Sequence, residues 1–359
     1  MISIATRAPA SVAALREEFA RRGWYERPAG RIIFELALNL SLALSGIAVF
    51  LLSDSVLVRG AAMLVSTAGS MGIGTGAHTA SHYAASRKRW VNELLTYFGH
   101  PLFLGLSVTF WRYKHLSLHH PAPNIIGVDK DSDFYPWFAL TEDEVQRARG
   151  FRRFYYKRLQ WALLPLALVL NGLNMQREGW AYVLDKLRAS KQWGKALWMD
   201  LLALALYFAL WVGAPCLFFP VADVLIFYVI RIGLMGYAMF AVFAPGHLPP
   251  EAVRIKADQR GSDHYLLQAL STVNFRAGRF GSLICSGLQY QIEHHLFPGV
   301  SHIHYAKMSA LVEQFCREQG LPYRSYAWPE VLWKSLVVFW APQPVMSDVE
   351  ALRERPANQ

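Results

Sequence analysis

Histidine is the residue type with the clearest capacity for chemistry in this sequence, because eight of the 12 histidines lie in four short segments. Imidazole is the commonest metal ligand among protein side chains. The eight residues are His78, His82, His115, His119, His120, His247, His294 and His295. They predict a metal site, provided that the fold brings the four segments together.

The spacing inside the first two segments suits metal binding by helices. Residues i and i+4 share one face of an α-helix. We therefore expect His78 and His82 to bind one metal ion, and His115 and His119 to bind one together as well. His120 lies about 100° further round the helix and could reach a second ion nearby.

The last segment, Gln291-Ile292-Glu293-His294-His295, repeats this spacing with glutamine in the leading position. Eight histidines exceed one tetrahedral zinc site and suit two ions of higher coordination number. A nitrogen-rich site without thiolates fits iron, copper or zinc, and composition does not choose among them. We interpret the other histidines as surface or packing residues, or as outer partners of the ligands: His100, His264, His302 and His304.

Four apolar runs are long enough to cross a bilayer as helices, which takes about 20 residues each. They pair into hairpins, because only Asp54-Ser55 and Pro220-Val221 separate the members of each pair. This arrangement places the N-terminal, middle and C-terminal polar segments, and with them every histidine segment, on one side of the membrane. The predicted spans are residues 31–53, 57–77, 196–219 and 222–244.

Composition supports a membrane protein. The 359 residues are 53% hydrophobic and 17% charged, whereas soluble chains carry about a quarter charged residues. The long polar segments hold most of the lysine and arginine, so the positive-inside rule predicts that they are cytoplasmic. The net charge of +10 fits this excess and attraction to anionic lipids. We expect no nucleic-acid partner, since the basic residues flank apolar spans and no nucleic-acid-binding motif is present.

Several weaker patterns carry expectations of their own. Residues 94–110 and 160–172 are apolar but short or interrupted, the first by Gly99-His100-Pro101, and are predicted to be interfacial or re-entrant. Arg231, inside the fourth span, should face the bundle interior or a cavity. The sequence also predicts a surface helix at 11–22, close helix packing at the glycines of 72–76 and an amphipathic segment at 329–340. Asp129, Asp131 and Asp133 are predicted to be solvated or to support the metal ligands from outside.

Two segments resemble the histidine boxes of the integral-membrane fatty-acid desaturases. Residues 111–120, followed by Asn124, Gly127 and an acidic run at 129–133, resemble the second box. Residues 290–298 resemble the third box of the front-end, acyl-lipid and acyl-CoA branch, in which glutamine replaces the first histidine. The resemblance covers roughly residues 30–325.

The resemblance implies an all-α membrane protein with four transmembrane helices and a cytosolic helical cap that holds two irons. It implies O2-dependent desaturation of a long acyl chain, linked to a lipid or to CoA, with electrons from an external ferredoxin or cytochrome b5. It divides the chain into an N-terminal segment (1–30), the desaturase domain (31–325) and a tail (326–359). We expect a bacterial inner membrane rather than the endoplasmic reticulum. The implied ligands, with no separate catalytic residue, are His78, His82, His115, His119, His120, His247, Gln291, His294 and His295.

The sequence departs from the family pattern at three places. Thr79 stands where Asp or Glu follows the first histidine, Gly246 where Asn precedes His247, and Pro121-Ala122 where Thr-Tyr is usual. No His-Pro-Gly-Gly haem motif is present, so no fused cytochrome b5 domain is expected. A hydroxylase or other oxygenase on the same scaffold, and a zinc-binding non-enzymatic membrane protein, stay open as alternatives. The position of the double bond, the chain length, the acyl carrier and the electron donor are not predicted.

Overall fold

The structure, a computed structural model, describes residues 11–189, 194–259, 261, 263–346 and 349. Four of its helices are long and apolar enough to cross a membrane, and they match the four predicted spans within a few residues. The prediction of an all-α membrane fold with four spans is confirmed. The helices are α2 (Ala29–Leu52), α3 (Val56–Ser81), α9 (Lys195–Leu217) and α10 (Val221–His247).

The remaining helices surround the spans and build the cap. The predicted surface helix at 11–22 is α1, and the amphipathic segment at 329–340 is largely α15. The parts of the predicted terminal segments at 1–10 and beyond residue 346, apart from Val349, lie outside the described residues. The elements are α1 (Val12–Arg21), α4 (Arg89–Leu104), α5 (Val108–His119), α6 (Glu142–Arg147), α7 (Gly150–Arg158), α8 (Gln160–Ala189), α11 (His264–Leu270), α12 (Gly278–Cys285), α13 (Gln291–Leu296), α14 (Tyr305–Glu318), α15 (Trp328–Val337) and the parallel strands β1 (Asn274–Arg276) and β2 (Ser325–Ala327).

Small residues let the membrane helices approach closely, as they do in other membrane bundles. A Cβ atom on Gly72 of α3 would lie 2.2 Å from Asn39 Oδ1 on α2, and one on Gly236 of α10 would lie 1.9 Å from the Leu168 carbonyl oxygen on α8. The expected packing role of the glycines at 72–76 therefore holds at Gly72. It does not hold at Gly76, where a Cβ atom would meet nothing within 4 Å.

The apolar stretch at 94–110 forms a bent pair of helices. α4 and α5 meet at 111°, a geometry that fits a re-entrant segment or a broken span. The prediction that Gly99-His100-Pro101 interrupts the helix is wrong, because the chain there continues as a π-helical segment, Phe98–Leu104. The bend comes later, at Gly105, whose φ of 73° is a left-handed conformation that glycine adopts at little cost.

Two charged side chains inside the spans face other helices. Arg231 is 4% exposed. Its Nη2 donates to the Phe103 carbonyl oxygen at 2.8 Å, and its guanidinium lies 3.6 Å from the centre of the Trp211 ring. The prediction that Arg231 faces the bundle interior is confirmed. Asp200 of α9, fully buried, accepts hydrogen bonds at the start of α5.

The stretch at 160–172 is longer than the sequence suggested. It forms the first part of the 30-residue helix α8, which continues to Ala189. The polar residues of its second half hide this continuity in the hydropathy pattern. Since α8 packs against α10, it supports the span that ends at His247.

A hydrophobic core holds the cap together on the histidine side of the spans. α1 begins at the N-cap Ser11, whose hydroxyl oxygen accepts a hydrogen bond from Ala14 N, and it buries Leu15 and Phe19. The Phe19 ring packs edge-on against Phe297, 4.9 Å between centroids, directly after α13. This core fixes α13, which carries the last histidine pair, relative to the rest of the cap.

Candidate metal centre

The structure brings all eight predicted histidines into two adjoining groups. Within each group, one ligand atom from every residue lies within 4.8 Å of the others. The elements that supply them are the C-terminal ends of α3 and α10, the C-terminal part of α5, and α13. The first group is His78, His82, His115, His120 and His294, and the second is His119, His247 and His295.

His115 and His119 fall in different histidine groups, but both also lie with Asp131 in a third set whose ligand atoms are within 4.8 Å of one another, so their pairing on one metal ion stays a prediction. Local helix geometry accounts for the division between the two histidine groups. Residues 112–119 form a π-helix, and His120 N donates to the His115 carbonyl oxygen at 3.0 Å, an i to i+5 hydrogen bond. In this wider helix the backbone hydrogen bond links residues i and i+5. His120 lies beside His115, 3.1 Å between their Nε2 atoms, and His119 belongs to the second group.

Gln291, the ninth predicted ligand, lies against Gly246, the residue before His247. Its side chain is 2% exposed, and its Oε1 has no hydrogen-bond partner among the described residues. A Cβ atom on residue 246 would lie 2.4 Å from Gln291 Cγ, so glycine at that position makes room for the glutamine. A side chain at position 246 would therefore crowd Gln291.

Two aspartates orient the histidines of α5. His115 Nδ1 donates to Asp131 Oδ2 at 2.7 Å, and His119 Nδ1 donates to Asp129 Oδ2 at 2.9 Å. Such contacts fix the tautomer and leave Nε2 free as the ligand atom. Of the roles that the sequence allowed for Asp129 and Asp131, this geometry supports the outer role around the metal site.

Asp129 is the most heavily bonded of these groups. Its carboxylate also accepts from Asn124 N at 2.8 Å, Asp131 N at 2.9 Å and the Ser132 hydroxyl at 2.7 Å. Burial opposes ionisation of this carboxyl, but the charge of His119 and the hydrogen bonds from His119 and Ser132 hold its pKa well below the usual range. Asp129 is therefore an ionised acceptor that ties the loop after α5 to the histidines.

Two further clustered histidines have Nδ1 partners that sequence reasoning missed. His295 Nδ1 donates to Gln268 Oε1 at 2.8 Å, and His294 Nδ1 donates to the Tyr305 hydroxyl oxygen at 3.3 Å. Gln268 and Tyr305 follow no spacing rule relative to the histidines, since they lie on separate helices, α11 and α14. No signal in a single sequence identifies them.

Thr79 and His302 form a hydrogen-bonded bridge beside the first group. His302 joins Thr79 Oγ1, 3.0 Å from its Nδ1, to Glu35 Oε2, which lies 2.9 Å from its Nε2. His302 is thus a buried packing residue, as one of its predicted roles allowed. His100 is also buried, whereas His304 is partly exposed. Neither belongs to the two groups of ligand atoms.

The chemistry of the donor set fits two metal ions. The Nε2 atoms of His82, His294 and His295 are buried and have no hydrogen-bond partner among the described residues. The Nε2 atoms of His78 and His115 approach to 2.8 Å. Nitrogen donors that converge in this way, with Nδ1 held from behind, are typical of histidine metal sites. Iron, copper and zinc all accept such ligands.

Comparison with known sequences identifies the family of the chain. A sequence model of the family "Fatty acid desaturase" matches residues 54–327, which include all eight clustered histidines. The chain belongs to the fatty acid desaturase family. The predicted resemblance to membrane desaturases is confirmed.

Curated relatives extend this family match. "Fatty acid desaturase 3" of Homo sapiens is 28% identical over 68% of this chain and 53% of its own length. "Delta(8)-fatty-acid desaturase" of Euglena gracilis is 28% identical over 87% of this chain and 73% of its own. "sn-1 linoleoyl-lipid 6-desaturase" of Synechocystis sp. is 29% identical over 69% and 70%. The chain therefore spans about half the length of the human desaturase.

Proposed function

We propose that this protein is an O2-dependent fatty-acyl desaturase that places a double bond in a long acyl chain. The observation that carries the proposal is the pair of adjoining histidine groups, five and three residues, at the end of a membrane bundle. Membership of the fatty acid desaturase family and relatives named as Delta(8) and linoleoyl-lipid desaturases support it. The acyl chain would come from a lipid or from CoA.

Two iron ions, held by the eight histidines with Gln291 as a ninth candidate, would supply the oxygen chemistry. The chain's own residues do the rest. Asp129 and Asp131 hold His119 and His115 in the orientation that leaves Nε2 free. Most of the site is buried, which excludes water from a reaction that attacks an unactivated C–H bond.

The remaining assignments belong to the same proposal. Residues 31–325 would form the catalytic unit, with 1–30 and 326–359 flanking it. Because the polar segments carry most of the basic residues, the histidine side would face the cytoplasm. The membrane would be a bacterial inner membrane rather than the endoplasmic reticulum. An acidic ferredoxin or cytochrome b5 that docks on this basic face would supply two electrons.

A direct test is the lipid profile of a host that expresses the protein. We expect a new unsaturated acyl chain with the wild type, none with His294→Ala, and the wild-type amount with the control His304→Ala, whose side chain contacts the Glu26 carbonyl oxygen at the surface. Membrane insertion, checked by fractionation, should be unchanged in both variants, since the spans lie elsewhere. A hydroxylated product without a new double bond would instead identify a hydroxylase.

Metal analysis tests the alternative of another class. The purified protein, expressed with iron available, should contain about two irons per chain if both histidine groups bind. Zinc without iron would favour a zinc-binding membrane protein without redox activity and would refute the desaturase.

A further inference from the structure

A cavity of about 730 Å³ lies on the cap, next to the first turn of α2. None of the eight clustered histidines lines it. Its walls come from β1, β2, α12, α14, the turn before α13, and the first turn of α2. The lining side chains that matter for recognition are Arg31, Arg276, Arg279, Ser282, Gln289 and Tyr290.

The cavity is rich in positive charge. Arg276 and Arg279 are exposed, and neither forms an ion pair with another described residue. Arg276 Nη1 donates only to the Ser325 carbonyl oxygen, at 3.0 Å. The one acidic side chain in the wall, Glu313, is already paired with Arg317 at 3.1 Å. The two arginines are therefore available to an anionic ligand.

The start of α12 adds donors to this charge. Its N-cap residue, Ala277, supplies no side-chain hydrogen bond to the first turn. Gly278 has a φ of 65°, and a Cβ atom there would meet nothing within 4 Å, so the backbone is open to a ligand. Free N–H groups at a helix N-terminus and flanking arginines are a combination that binds phosphate.

A buried glutamine points to a ligand independently of the arginines. Gln289 is 5% exposed and lines the cavity. Its Nε2 donates to the Ser282 hydroxyl at 3.0 Å, but its Oε1 has no partner among the described residues. Buried acceptors are almost always satisfied. A ligand that carries an N–H or O–H group beside its phosphate would supply the missing donor.

The position of the cavity links the membrane to the metal centre. Arg31, which is paired with Glu35 at 2.8 Å, lies in the first turn of the span α2, where a long basic side chain reaches the headgroup level. Gln289 and Tyr290 directly precede Gln291, the start of the histidine helix α13. Asn274, also in the wall, donates to Glu293 Oε2 at 2.8 Å, next to His294.

We propose that this cavity binds the phosphate-bearing head group of the acyl carrier. The inference rests on the proposed desaturase function, because it assumes that an acyl chain attached to that head group reaches the histidines. Arg276, Arg279 and the N-terminus of α12 bind the phosphate, and Gln289 Oε1 accepts from an N–H or O–H group of the same ligand. Acyl-CoA and phospholipids both offer this chemistry.

The test is binding to the full-length purified protein in detergent, without turnover. The probes are oleoyl-CoA, dioleoyl-phosphatidylglycerol and inorganic phosphate. The double variant Arg276→Gln/Arg279→Gln should weaken binding of one of the two acyl probes by about 10-fold, because two charge-assisted contacts are lost. The control Arg152→Gln/Arg153→Gln removes the same charge from the exposed surface of α7, outside the cavity, and should change binding less than about 2-fold.

The probes distinguish the sources of the phosphate. Sensitivity of oleoyl-CoA alone to the cavity variant identifies a CoA-linked substrate, and sensitivity of phosphatidylglycerol alone identifies a lipid-linked one. If both variants weaken binding equally, or if only inorganic phosphate responds to the cavity variant, the proposal is wrong. Because no turnover is needed, a selective effect would stand even if the lipid profile showed no desaturation, so the two failures are distinguishable.

Discussion

Replacing Asp129 with asparagine removes the negative charge next to His119 but keeps the shape of the side chain. In the native protein, the two carboxylate oxygens accept from His119 Nδ1 and from three donors in the loop after α5. An asparagine has only one acceptor oxygen. At least one buried donor, Asp131 N or Asn124 N, would then face an NH2 group instead of an acceptor.

The size of the effect follows from these contacts. A buried donor that loses its acceptor costs about 1–3 kcal/mol, and about 1.4 kcal/mol is a factor of ten in affinity. If the loop shifts to relieve this cost, His119 loses its fixed orientation. We therefore expect Asp129→Asn to weaken metal binding by about 10- to 100-fold, the range found when a histidine ligand loses its supporting partner.

The assay is a titration of purified, metal-depleted protein with ferrous iron under anaerobic conditions, with bound iron measured by mass spectrometry. Asp133→Asn is the matched control, because Asp133 lies in the same loop but accepts only from Gly127 N and Tyr135 N, at 3.1 and 3.0 Å. Its iron affinity should stay within about 2-fold of the wild type. Equal affinities for the wild type and Asp129→Asn, or an equal loss in both variants, would refute the orienting role of Asp129.

Three further predictions concern the supports of the site. Asp200→Asn should destabilise the protein by about 1–3 kcal/mol in thermal unfolding, because the Asp200 carboxylate accepts four hydrogen bonds at the start of α5; an unchanged midpoint would contradict this. Gly72→Ala should lower the thermal midpoint, since its Cβ would lie 2.2 Å from Asn39 Oδ1, whereas Gly76→Ala on the same helix, with nothing within 4 Å, should not. Gly246→Ala should lower iron affinity more than thermal stability, because it displaces the glutamine of α13; the same titration checks it.

The spans were predictable because a bilayer imposes a simple rule on sequence. A run of about 20 apolar residues indicates a transmembrane helix. The short turns at 54–55 and 220–221 then showed that the spans pair into hairpins. The long helix α8 was not predictable in the same way. Its second half carries charged residues, including Arg177 and Lys186, so hydropathy marks only its first half. Its packing on α10 is a tertiary contact, which the hydropathy of the sequence does not report.

The set of histidines was also predictable, but not how it divides. Grouping by i and i+4 assumes an α-helix, and His115 to His119 lies in a π-helix. Single-turn widening of this kind depends on how the segment packs, and propensity scales do not report it. One missed support did leave a signal: Asp200 is a carboxylate inside a predicted span, which marks a functional or structural role by its cost alone.

The aspartates behind the histidines make the two groups unequal. Neutral imidazoles bring no charge, so Asp129 and Asp131 supply the negative charge that offsets bound cations. Lys114 Nζ lies 3.2 Å from Asp131 Oδ1 and cancels part of that charge behind His115. Among the described residues, no lysine or arginine forms an ion pair with Asp129. The group of His119 therefore has the stronger electrostatic support for each histidine, whereas the group of His78 offers more ligands, five against three.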